Sequence, residues 1–167
     1  KAEDLDKVES ELATEFATWT TQLAGLQGKT FQLAVLAEDR LLWLTEYANE
    51  PLQSLGLQLG EGQPTGVGED RVEGKNATKL SLENIDKLDA DVVFIAVQDG
   101  SSSEDAKDAL AKDPRTAELP ATRNGTLIYL TDAQWSALGN GDPSSLRWAI
   151  PQLVEQLEES TLNRSGG

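Results

Sequence analysis

Apolar and polar positions along the chain describe one long amphipathic helix followed by strands and helices in alternation. Leu5, Val8, Leu12, Phe16, Trp19 and Leu23 recur at three- and four-residue steps. That period lines one face of an α-helix, so residues from about 3 to 25 are predicted to be helical. Gly25 and Gly28 end the pattern. Phe31 to Ala37 (FQLAVLA) is predicted as the first strand, and the loop Glu38-Asp39-Arg40-Leu41-Leu42-Trp43 follows it. A helix from Thr45 to Leu55 then closes at Gly56. Leu57 to Gly74 is glycine-rich, contains Pro64, and is expected to hold a short strand and a long surface loop.

The segment Leu80 to Val97, LSLENIDKLDADVVFIAV, carries the strongest fold signal. Ser81 suits a helix N-cap, and Glu83 in the first turn suits the positive end of the helix dipole. A tight Asp-Ala-Asp turn leads into Val92 to Val97, which contains no polar residue. Such a run is the mark of a strand covered on both faces, as in a parallel sheet. Ser103 is expected to cap a helix of Glu104 to Lys112, which Asp113-Pro114 breaks. Asn124-Gly125 turns into a strand Thr126 to Thr131. Asp142-Pro143 starts a last helix with Leu146, Ile150, Leu153 and Leu157 on one face and an expected kink at Pro151. Asn163 to Gly167 is expected to fray. The resulting fold class is α/β: a doubly wound, mainly parallel sheet flanked by helices and preceded by one long helix.

Composition narrows the chemistry. A chain of 167 residues suffices for one domain with its own core. There is no cysteine and no histidine, which argues against a thiolate metal site, a zinc enzyme and a Ser-His-Asp hydrolase. Methionine is also absent, even at position 1. The chain is therefore expected to be cut from a larger protein, with any signal peptide or lipid anchor in the missing part. The net charge of −15 repels phosphate backbones and argues against nucleic-acid binding. No apolar run approaches the ~20 residues that span a bilayer.

Several motifs carry little. Gly60-Glu-Gly62-Gln-Pro64-Thr65 lacks the third glycine of a dinucleotide fingerprint, and Gly68 with Gly74-Lys75 misses phosphate-loop spacing. Asn-x-Ser/Thr triplets begin at Asn76, Asn124 and Asn163; they matter only in a protein secreted by a eukaryote. No carboxylate pair stands at a spacing that forces proximity. The tryptophans are more informative. Trp19 follows the apolar stripe, whereas Trp148 sits off the Leu146–Ile150–Leu153 line and is expected to be partly exposed. Trp43 and Trp135 each fall just after a predicted strand, where open α/β sheets gather ligands. Arg40 shares the Trp43 loop, a combination suited to a bulky, anionic, partly aromatic ligand.

With these residues in place, the chain resembles the C-terminal half of the iron-siderophore and cobalamin type (class III) substrate-binding proteins of ABC importers. Leu80–Val97 is similar to that family's "s-x-E-x-l…l-x-a-D-v-v-f" element. DALAKDPRTAELPATRNGTLIYLT is similar to its "l-x-x-x-p-x-w-x-x-L-p-A-v-k-x-g-x-v-y-x-v" run, with Thr116 near the usual tryptophan. DAQWSALGNGDPSSLRWAIPQLVEQL is similar to its "W-x-x-x-g…s-x-x-x-x-l-x-x-l" ending. The resemblance implies two α/β lobes joined by a stiff helix, with ligand held between them. Residues 1–28 would be the connecting helix, 29–162 the C-terminal lobe and 163–167 a tail, with the other lobe missing.

It further implies an extracytoplasmic, monomeric binding protein without enzymatic activity or resident cofactor. Such a protein captures a ferric siderophore or related iron chelate and delivers it to an ABC permease. Membrane association would come only through a missing N-terminal anchor. Trp135, Arg40 and Trp43 would line the cleft, Arg71 and Gln98 would stand on its rim by position, and Glu83 would dock to a permease arginine. Haem and cobalamin are the lesser ligand options; of this chain's residues, Tyr47 and Tyr129 could ligate haem iron directly. Two other readings remain: a flavodoxin-like nucleotide-binding or enzymatic domain, and an interaction domain whose acidic surface binds a cationic partner.

Overall fold

The computed structural model describes residues 2–37, 40–44, 49–62 and 77–165; for Arg40, Trp43, Leu44, Ala77 and Thr78 it describes the backbone alone. The elements in order are α1 (Ala2–Gln22), a 3₁₀ turn (Ala24–Leu26), β1 (Thr30–Ala37), β2 (Arg40–Leu44), α2 (Asn49–Ser54) and β3 (Gln58–Leu59). They continue with β4 (Ala77–Leu80), a 3₁₀ turn (Leu82–Lys87), β5 (Val92–Val97), α3 (Ser101–Lys112), α4 (Pro114–Ala117) and α5 (Pro120–Asn124). The chain closes with β6 (Leu127–Thr131), α6 (Asp132–Asn140), α7 (Pro143–Glu158) and α8 (Thr161–Ser165).

One mixed sheet runs in the order β4-β2-β1-β5-β6, with β3 beside the first residues of β1. β1 is parallel to β3 and β5, and β5 to β6, as the doubly wound reading requires. Its two faces carry separate cores that follow the period-2 alternation of the strands. Phe31, Leu33, Val35, Val92, Phe94, Ala96, Ile128 and Leu130 pack with Trp19, Leu52, Leu138, Ile150, Leu153 and Leu157 from the helices on one face. Ala34, Leu36, Val93 and Ile95 pack with Ile85, Leu88, Leu110, Leu119 and Ala121 on the other.

Four local expectations are corrected. Of the Glu38–Trp43 stretch expected as a loop, Arg40–Trp43 is strand: Ala37 pairs with Arg40, Leu36 with Leu41 and Ala34 with Trp43, all antiparallel. Leu41 is buried, so the sheet edge takes up the Leu41-Leu42 apolar step. The short α-helix expected after Ser81 is a 3₁₀ turn bent at Asn84 (φ −108°), and Ser81 makes no capping hydrogen bond. Its hydroxyl instead accepts from Asn84 Nδ2 at 3.1 Å. Helix α3 starts at Ser101, so Ser103 lies inside it and is buried. Gly100, at φ +134°, makes the break that starts the helix. Last, Asn163 is not frayed. It stands in α8, where Oδ1 accepts the Gly25 backbone N–H at 3.0 Å and Nδ2 donates to the Gln22 carbonyl at 3.0 Å.

Gly25 has no alternative residue type in that position, since a Cβ there would overlap the Asn163 backbone. The expected cap at Asp142 is present, accepting the Ser145 backbone N–H, and Asp113, expected only to break the preceding helix, also caps α4 by accepting the Arg115 N–H. Helix α7 continues through Pro151 as a single element.

Gln32 is the one polar side chain of β1 that is fully buried. Its Nε2 donates to the Lys87 carbonyl at 3.1 Å and its Oε1 accepts the Ala90 N–H at 3.0 Å. It thereby fixes the return of the chain from the 82–87 turn to β5. Gln32→Leu would keep the volume but leave the buried Ala90 N–H and the part-buried Lys87 carbonyl without their partner. The expected cost is about 2–4 kcal/mol, read as a lowered urea midpoint.

Candidate functional site

The three adjacent parallel strands β1, β5 and β6 end at one edge of the sheet, and an open α/β sheet binds ligands beyond such an edge. Register places Leu36 beside Val97 and Val97 beside Thr131. The residues immediately following, Gln98 to Ser101 and Asp132 to Trp135, therefore share that edge with the paired Ala37 and Arg40. Gln98 is exposed, and its backbone N–H is held by the Leu36 carbonyl at 3.1 Å.

Trp135 stands in the first turn of α6, half-buried against the first core. A reciprocal capping box fixes its helix: Thr131 Oγ1 accepts the Gln134 N–H at 3.1 Å, and Gln134 Oε1 accepts the Thr131 N–H at 3.0 Å. Gln134 Nε2 also donates to Gln152 Oε1 of α7 at 2.8 Å. Both α3 and α6 present their N-termini here, which adds a weak positive field at an otherwise acidic surface.

Of the residues expected at the site, the fold brings Arg40 (by its backbone), Gln98 and Trp135 to this edge. Trp43 lies three pairs down the hairpin from Arg40 and is a mid-strand residue. Arg71 lies outside the described residues, as do Tyr47 and most of the Gly60–Gly74 segment. Sequence reasoning did not single out Asp99, Gly100, Ser101 and Asp132, which the strand ends carry to the same place. Tyr129 does not reach the edge. It sits within β6, packed against the second core beneath Lys107, whose Nζ is 5.6 Å from the ring centroid. Its hydroxyl is buried without a partner, and desolvation pushes its pKa up, so it is no ligand for iron in a cleft. Among the described residues no group of three or more His, Cys, Asp or Glu could hold a metal.

Glu83 belongs to a different surface. It is exposed on the 82–87 turn and lines a depression of about 330 Å³ with Ile85, Asp86, Arg115, Glu118 and Arg123. These residues come from segments some thirty positions apart, which is why no sequence motif announced the depression. Arg115 is oriented by Asp113, with Nε 3.0 Å from Oδ1 and Nη2 2.7 Å from Oδ2. The same guanidinium, first through its side-chain hydrogen bond, lowers the Asp113 pKa to about 2.

No protein-family model matches the sequence, and no curated protein sequence matches it. Solved structures do. PiaA from Streptococcus pneumoniae TIGR4 in complex with ferrichrome is 19% identical, with a TM-score of 0.68 over 96% of this chain and 54% of its own. Staphylococcus aureus SirA complexed with staphyloferrin B is 18% identical, with a TM-score of 0.69 over 91% of this chain and 54% of its own. The FhuD protein from S. pseudintermedius is 16% identical, with a TM-score of 0.70 over 96% of this chain and 56% of its own. The chain spans little more than half the length of these structures, and its fold is that of about half of each of them.

The Asp113–Arg115 pair is directly measurable. A carboxylate with a depressed pKa contributes its stabilisation above its unfolded value of 3.8 and loses it as pH falls through about 2. At pH 3 the Asp113 carboxyl carbon resonance is expected to report an ionised group, and Arg115→Ala to move its titration midpoint up toward 3.8.

Proposed function

We propose that this chain is the C-terminal lobe, with its connecting helix, of an extracytoplasmic solute-binding protein. That protein captures a ferric siderophore or related iron chelate between two lobes and delivers it to an ABC permease. The observation that carries this reading is the fold match over nearly the whole chain to half of proteins solved with ferrichrome and with staphyloferrin B. In this reading residues 1–28 are the connector and 29–162 the lobe.

The chemistry of the strand-end edge supports it. Trp135 is braced by the capping box behind it, so its indole can contact an aromatic or apolar chelator at little entropic cost. Gln98 and the α3 N–H groups offer donors, and Arg40 enters the same edge from the hairpin. A lobe without histidine, cysteine or methionine would hold the metal through its organic chelator, using cationic and aromatic contacts and no covalent step. Glu83 serves docking: it is exposed and lines a depression that includes neither Gln98 nor Trp135. In this reading the protein works as a monomer outside the cytoplasm.

Tryptophan fluorescence of the full-length protein, titrated with ferric catecholate, hydroxamate and citrate complexes, haem and cobalamin, tests the proposal. One ferric chelate is expected to quench, and Trp135→Ala to weaken its binding about tenfold, or ~1.4 kcal/mol. Silence toward every compound would remove the reading. The lobe alone offers half a cleft and is expected to bind weakly or not at all, so micromolar affinity from it would contradict the bilobal site. Glu83→Lys is expected to impair uptake in cells while leaving the titration unchanged.

A further inference from the structure

Helix α1 is held to the lobe along one flank and left open along the other. At about 100° per residue, Glu11 and Glu15 share one flank, Leu12, Phe16 and Trp19 face the core, and Ala13, Ala17 and Thr20 form the opposite flank. Arg147 of α7 closes the first flank. Its Nε donates to Glu15 Oε2 at 2.9 Å and lies 3.2 Å from Oε1, while Nη2 reaches Glu11 Oε2 at 3.6 Å. The second flank borders a groove of about 900 Å³ between α1, α2 and the α6–α7 junction, floored by Leu12, Phe16, Leu138 and Leu146.

The groove has a closed end and an open end. Thr20 Oγ1 meets the Ser54 carbonyl at 3.5 Å, and just beyond it Gln27 Nε2 donates to the carbonyls of Leu23 at 3.1 Å and Leu55 at 3.0 Å. Asn163 secures the following turn. Toward the N-terminus the hold weakens: Trp19 is 9% exposed and Leu5 is 65% exposed. The helix is thus fixed at its C-terminal end, packed on the core through Leu12, Phe16 and Trp19, tied on one flank by Arg147 and bordered on the other by the groove.

We propose that Arg147 is the pin that sets the angle at which α1 leaves the lobe, and that drawing it lets the helix swing about Trp19 into the groove beside α2. The inference rests on the reading above only for its meaning, since a connector that swings sets how two lobes meet. The swing itself is a property of this chain and is tested on it. The absence of cysteine permits paired spin labels at Ser10→Cys and Gln53→Cys, both exposed.

Ser10 lies nine residues from Trp19, a lever of roughly 13 Å, so a swing of about 15° moves it on the order of 3 Å. The parent chain is expected to give a narrow distance distribution, and Arg147→Met a broader one with a shorter mean. Adding Ala13→Trp, which fills the groove, is expected to restore the narrow distribution. An unchanged distribution in Arg147→Met overturns the proposal. So does broadening accompanied by loss of helical circular dichroism, which reports fraying, or broadening that Ala13→Trp does not reverse. None of these results depends on whether the full-length protein responds to an iron chelate, so the two readings fail separately.

Discussion

Two neighbouring parallel strands buried on both faces, β1 and β5, impose most of this architecture. A strand with two covered faces must be flanked by two layers, and the alternation of its side chains assigns every neighbouring element to one layer or the other. Phe31, Leu33 and Val35 recruit α1, α2, α6 and α7, while Ala34 and Leu36 recruit the 82–87 turn and α3 to α5. Gln32 interrupts that apolar logic at a single position, and the interruption is matched by two backbone partners. A polar group sealed inside a sheet is tolerable only when satisfied, so the loop that satisfies it has little freedom of its own.

This arrangement also determines where recognition chemistry can sit. Parallel strands connected by helices leave all their C-terminal ends on one edge, and each following helix begins there. Gln98 and Trp135 reach the same edge from segments far apart in sequence because β5 and β6 are adjacent and in register. The edge is braced from behind: Thr131, Gln134 and Gln152 link the start of α6 to α7. The surface carrying Glu83 is built differently, on short turns and one-turn helices stitched by Asp113 and Arg115. The Glu83 depression includes neither Gln98 nor Trp135.

Much of the fold was legible in the residues. VVFIAV could hardly be anything other than a doubly covered strand, Asp142-Pro143 marked a helix start that the structure reproduces, and Asp113-Pro114 marked the end of α3. The hairpin was not legible, because Arg-Leu-Leu-Trp-Leu has no period until its partner strand is known: Leu41 becomes core only opposite Leu36. The 82–87 turn failed as a helix because its length was spent in crossing to Gln32, a tertiary demand that local propensity does not record. At the candidate site, Trp135 and Gln98 could be placed by counting from strand ends. The Asp86, Glu118 and Arg123 surroundings of Glu83 could not, and neither could the pairing of Arg147 with Glu15 across 132 positions. Long-range ion pairs leave no trace in sequence spacing.

The contact between Gly25 and Asn163 has a consequence for how the molecule comes into being. These residues lie 138 positions apart, so the joint that secures the base of α1 requires everything from α1 to α8 to exist. During synthesis α1 emerges before every strand of the sheet, yet its final seat is completed by α8. Contacts of such sequence separation are expected late in folding, after the loop they close has been shortened by earlier structure. The strands and crossover helices between them can assemble beforehand, since β1, β5 and β6 need only their neighbours. Helix α1 is therefore made before the strands it packs against and locked after them, and it stays uncommitted until the sheet and α8 are ready to receive it.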